Sequence, residues 1–64
     1  MIFDIHPYYA AVRADCREKG IWKISTSWEE MFRKLGFSSY KCYNYNKHQL
    51  SDDEFVIFLL RYSS

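Results

Sequence analysis

Sixty-four residues leave room for a single domain, 1–64, and a domain of that size buries only about 60% of the surface its unfolded chain exposes. Nine basic against eight acidic residues give a net charge of +1, which excludes the strong positive field that an unspecific polyanion binder or a polybasic membrane-surface segment needs. The core must come from heavy apolar side chains, and two Trp, five Phe and six Tyr can each remove roughly 150–250 Å² from water.

That aromatic share exceeds what so small a core requires, so some rings are expected at the surface, where Tyr and Trp favour interfaces. Cys16 and Cys42 have no short spacing, and no basic-then-apolar leader pattern opens the sequence. The expectation is a reduced, cytoplasmic setting without a disulfide. The apolar run Phe55 to Leu60 is far shorter than the roughly 20 residues that span a bilayer, so no membrane partner is expected.

The first predicted helix starts near Pro7, capped by Asp4 or His6, because Pro at the first helical position lacks only an N–H that would be unpaired anyway. Ile5, Tyr9, Val12 and Cys16 line its inner side at spacings of three and four, with Arg13, Arg17 and Glu18 facing elsewhere. Gly20 closes it in the left-handed conformation, and Ile21 folds back onto Cys16.

Ile21 to Ile24 is a short apolar connector. Thr26-x-x-Glu29 and Ser27-x-x-Glu30 can each form a capping box for a second helix. Trp28, Met31, Phe32 and Leu35 follow at the spacing of a buried helix face, and Gly36 ends the helix with Phe37 returning onto Phe32. Residues 38–46, Ser-Ser-Tyr-Lys-Cys-Tyr-Asn-Tyr-Asn, read equally as a Ser-capped helix or a Tyr-rich strand.

Ser51-Asp52-Asp53-Glu54 opens the last element with a further capping box. Leu50 is placed to staple Phe55, and three carboxylates suit the positive end of the helix dipole. Its body, Phe-Val-Ile-Phe-Leu-Leu, is apolar all round. The predicted fold is therefore mainly α, a small helical domain of three to four short helices with the C-terminal helix central. The alternative is α+β, with a C-terminal β-hairpin pairing about 40–46 with 54–62.

No catalytic set is legible, and the expectation is that the chain is not an enzyme. His6, Cys16, Cys42 and His48 stand singly, whereas zinc ligands usually come in close pairs, so neither a metal nor a cofactor is expected. Cys42 and His48 could form a nucleophile and base, but nothing supplies an orienting carboxylate or an oxyanion hole. Asp52, Asp53 and Glu54 are accounted for by capping.

Met31, Leu35, Gly36, Phe37, Cys42 and Tyr45 occupy the apolar and turn positions of a helix-turn-helix, and residues 27–50 resemble that motif. The resemblance implies DNA binding by a second helix presenting Ser39, Tyr40, Lys41, Asn44, Lys47 and His48 to the major groove. The leading expectation is different. A short, aromatic-rich chain without a catalytic set fits a small non-catalytic interaction protein that binds another protein and acts by occupancy as an inhibitor or adaptor. Its size and style are those of phage accessory proteins.

The expected contact surface is Tyr40, Tyr43 and Tyr45, with Lys41 and Lys47 at the rim. Homodimerisation through the apolar C-terminal helix is a further expectation.

Overall fold

The structure is a computed structural model that describes residues 1–44 and 46–63. Among them are three strands, β1 (Ile2–Asp4), β2 (Lys41–Cys42) and β3 (Lys47–Gln49), and three α-helices, α1 (Tyr9–Glu18), α2 (Trp28–Lys34) and α3 (Asp52–Tyr62). A single 3₁₀ turn, His6–Tyr8, links β1 to α1. The strands form one antiparallel sheet in the order β1-β3-β2.

This corrects the mainly α expectation: the fold is a small α+β domain. The alternative hairpin is corrected as well, because 54–62 is helix α3 and the partner of β2 is β3. The hairpin closes locally, where the Asn44 side-chain oxygen accepts from the N–H groups of Asn46, at 3.2 Å, and Lys47, at 3.0 Å. An Asn that binds the backbone two and three residues on makes the turn itself.

β1 completes the sheet from the far end of the chain, with Phe3 opposite His48 and Asp4 opposite Lys47. Alternation then sorts the side chains. Phe3 and His48 are buried on the inner face, and Ile2, Asp4, Lys47 and Lys41 are exposed on the outer one.

Helix boundaries follow the local signals more closely. Gly20 has φ +72°, and the Ile21 N–H donates to the Cys16 carbonyl at 2.8 Å. Gly36 has φ +99°, and the Phe37 N–H donates to the Phe32 carbonyl at 2.9 Å. Both helices therefore end in the same glycine-dependent fold-back.

The Thr26–Glu29 capping box does not form, as Thr26 Oγ1 accepts from the Lys23 N–H at 2.9 Å, and the other two form only in their first half. Ser27 Oγ accepts from the Glu30 N–H at 3.2 Å and Ser51 Oγ from the Glu54 N–H at 3.3 Å. The glutamates do not reach back: Glu29 and Glu30 pair with Arg33 and Lys34 one turn on. Glu54 instead accepts from the N–H groups of Ser38, at 3.2 Å, and Ser39, at 2.9 Å, tying the turn after α2 to the start of α3.

The predicted first helix is shortened, since Ile5 precedes the 3₁₀ turn as its N-cap and Pro7 lies within that turn. The Asp4 carboxylate accepts from the His6 N–H at 2.9 Å at the start of that turn.

Phe58 is the hub of the core. Its ring lies 5.0–5.9 Å from those of Phe3, Tyr8, Phe32, Phe37 and Tyr62, within the range where aromatic pairs add to simple burial. The helix that carries it is nevertheless not central, a further correction. Phe58 and Tyr62 are buried, but Val56, Ile57 and Leu60 on the outer side of α3 are exposed. Arg61 folds over the Phe37 ring and donates to the Leu35 carbonyl at 3.0 Å, satisfying an orphan acceptor at the end of α2. No helix among the described residues is long and apolar enough to cross a membrane.

Candidate functional site

The residues nominated from the sequence do not converge on one surface. Tyr40 is 5% exposed, with its ring stacked on Phe32 at 4.2 Å, so it belongs to the core. Tyr43 is exposed at the hairpin tip, and Tyr45 lies outside the described residues. Lys41 and Lys47 share the outer sheet face, where Asp4 stands opposite Lys47 and offsets its charge.

The DNA-contacting set fares similarly. Residues 41–42 and 47–49 are strands, so the second helix of a helix-turn-helix is not formed. Ser39 is half-buried, its hydroxyl held between Glu54 and the Ser51 N–H, and His48 is fully buried. Asn44 spends its side chain on the turn.

Cys42 and His48 are cross-strand partners, but the imidazole is committed elsewhere. Its Nδ1 pairs with the Tyr40 hydroxyl, and its buried Nε2 has no hydrogen-bond partner among the described residues. With Nδ1 accepting from Tyr40, the neutral ring carries its proton on Nε2. Trp28 stands T-shaped to His48 at 5.5 Å. Burial holds the His48 pKa below its ordinary value.

Cys16 is a buried free thiol pushed up by burial, and Cys42 is an exposed one. Among the described residues no group of three or more His, Cys, Asp or Glu side chains gathers as a metal-ligand set.

The residues that do converge lie on α1. Arg13 and Arg17, one turn apart, both place their guanidiniums over the Trp22 ring, at 4.7 and 4.9 Å from its centroid. Arg13 also lies 5.3 Å from the Tyr9 ring and donates to the Tyr9 hydroxyl at 3.1 Å. Tyr9 in turn stands T-shaped to Trp28 at 5.5 Å. The result is a continuous strip running Trp28–Tyr9–Arg13–Trp22–Arg17 along one side of the molecule.

Local structure explains the assembly. The Gly20 cap turns the chain so that Trp22 returns alongside α1, and helical spacing brings Arg13 and Arg17 to the same side as Tyr9. At the Tyr9 end the strip meets an open groove of about 680 Å³ between α1, α2 and the hairpin, bordered by Ile5, His6, Tyr9, Trp28, Cys42 and Asn46.

The carboxylates of α1 lie away from the strip. Asp15 and Glu18 border a shallow pocket on the other side of the helix, with Lys19, Arg61 and Tyr62. There Asp15 accepts from the Tyr62 hydroxyl at 2.6 Å and pairs with Lys19 at 3.0 Å, and the Tyr62 bond above all holds its pKa below the usual range. Arg13 and Arg17 have no carboxylate within ion-pair distance among the described residues.

By apolar periodicity alone both arginines face away from the core, and Trp22 falls in the connector 21–24. The signal that periodicity passes over is Tyr9, Arg13 and Arg17 at successive spacings of four. The chain matches no known family model, no curated protein and no solved structure.

Proposed function

We propose that this chain is a small non-catalytic interaction protein that binds another protein and acts by occupancy, as an inhibitor or adaptor. The carrying observation is the strip itself, in which Trp28, Tyr9, Arg13, Trp22 and Arg17 follow one another as successive neighbours, half-buried to exposed. Trp, Tyr and Arg are the residue types that dominate binding energy at protein interfaces. A guanidinium already stacked on an indole also loses less freedom when it pairs with a partner. Two free thiols suit the reducing cytoplasm.

The test is capture from host lysate on the immobilised protein, with bound proteins identified by mass spectrometry. A specific protein is expected on the wild type and lost on the combined Arg13→Glu and Arg17→Glu variant, with thermal unfolding little changed. Equal retention by both would remove this surface from the reading. No specific protein on the wild type would remove the reading.

The exposed stripe of Val56, Ile57 and Leu60 on α3 supports a second reading, self-association through that helix. Light scattering at two concentrations, comparing wild type with Leu60→Glu, tests it.

A further inference from the structure

We infer that the partner presents an acidic segment carrying an apolar anchor, its carboxylates seated on Arg13 and Arg17 and its anchor in the groove beside Tyr9. This deepens the protein-binding reading above and rests on it.

Three observations select that chemistry. First, the strip's cations have no ion-pair partner among the described residues, and the carboxylates of the same helix, Asp15 and Glu18, lie on the Tyr62 side. Complementary charge is what steers and registers such a contact.

Second, a guanidinium held over a ring can still offer N–H groups for bidentate carboxylate recognition, and of the two Arg13 commits one such group, to the Tyr9 hydroxyl. Arg13 and Arg17 both lie over Trp22. That arrangement disfavours a nucleic acid, whose bases would have to stack on the indole surface the guanidiniums cover. Third, the strip runs without a break into the groove walled by Tyr9 and Trp28. That groove has an apolar wall for a side chain such as Leu, with the Asn46 amide and the Cys42 thiol at its rim.

The experiment is an NMR titration of the isotopically labelled protein, following the side-chain N–H signals of Arg13, Arg17, Trp22 and Trp28. The probes are a short Glu-rich peptide with one central Leu, the same peptide with Lys in place of Glu, the Glu peptide with its Leu replaced by Gly, and an oligothymidylate of matched length. The Glu–Leu peptide is expected to shift these signals saturably and to weaken with added salt. Arg13→Gln with Arg17→Gln should weaken it about tenfold. Lys41→Gln with Lys47→Gln, which removes the same formal charge from the sheet face, should not.

The proposal is overturned if the Lys peptide or the oligothymidylate binds the strip as tightly, if the Gly peptide binds as tightly as the Leu peptide, or if the two double variants lose affinity equally. It is also overturned if no probe shifts the strip. Should lysate capture still depend on Arg13 and Arg17 while the acidic peptide fails, protein binding stands and only this partner chemistry falls.

Discussion

The hairpin and helix α1 both set tyrosines beside cations, and the fold uses them in opposite ways. In the hairpin, Tyr40 turns inward onto Phe32 and binds His48, while Lys41 and Lys47 are left on the far face of the sheet. In α1, Tyr9 stays 41% exposed and is joined to Arg13 and, through it, to Trp22. Along an extended chain neighbours turn to opposite sides, so adjacent Tyr40 and Lys41 part between core and solvent. Helical spacing of four gathers its residues on one side. A dense aromatic stretch in sequence is therefore a poor guide to an aromatic surface.

Tyr40→Ala is expected to break the hairpin side most severely, costing about 3–5 kcal/mol in chemical denaturation. That is a large part of the stability of a small domain near the low end of the usual range of about 5–15 kcal/mol. If Tyr40 were a surface contact instead, the midpoint would hardly move. Tyr40→Phe keeps the ring but leaves His48 Nδ1 buried without its donor, and should cost about 1–3 kcal/mol.

The same imidazole makes stability depend on pH. Burial lowers the His48 pKa in the fold from its ordinary 6.5, against a smaller opposing pull from Asp4, so between the two values the unfolded chain binds more protons. Stability should therefore be full above pH 6.5 and fall as pH drops through the lowered folded value. The slope is at most about 1.4 kcal/mol per pH unit.

Asp15 and Glu54, whose pKa values are lowered in the fold, withdraw their contributions only at more acid pH. Denaturant titrations at a series of pH values should show the His48 step, and His48→Asn should flatten it while leaving the acid step.

On the α1 side, Arg13→Gln with Arg17→Gln should reduce stability by less than about 1 kcal/mol, since half-exposed cation–π contacts are weak, while abolishing most partner binding. A large loss of stability with binding intact would make the strip a structural clasp. Leu60→Glu and Tyr43→Ala, at positions 81% and 62% exposed, should each shift unfolding by less than about 0.5 kcal/mol.

Much of α1, α2 and α3 was legible because their boundaries are set by neighbours. Gly20 and Gly36 close helices through bonds reaching five residues back, and Ser27 and Ser51 cap through bonds reaching three forward. The sheet was not legible. β2 has two residues and β3 three, too few for alternation to outweigh a helical reading of the same segment, and their third strand comes from residues 2–4. The candidate site was half legible. The spacing of Tyr9, Arg13 and Arg17 is in the sequence, but the return of Trp22 onto them depends on how the chain leaves the Gly20 cap.

By itself, then, the sequence determined where helices start and stop, because caps, glycine fold-backs and side-chain spacing are bonds and contacts between residues a turn apart. Tertiary structure alone decided which partners the uncommitted groups took. Glu54 left its own cap for the Ser38–Ser39 turn, His48 became the buried partner of Tyr40, and α3 covered Phe58 while exposing Leu60. Those choices rest on pairing β1 with a strand more than forty residues away, and no local pattern records a contact of that range.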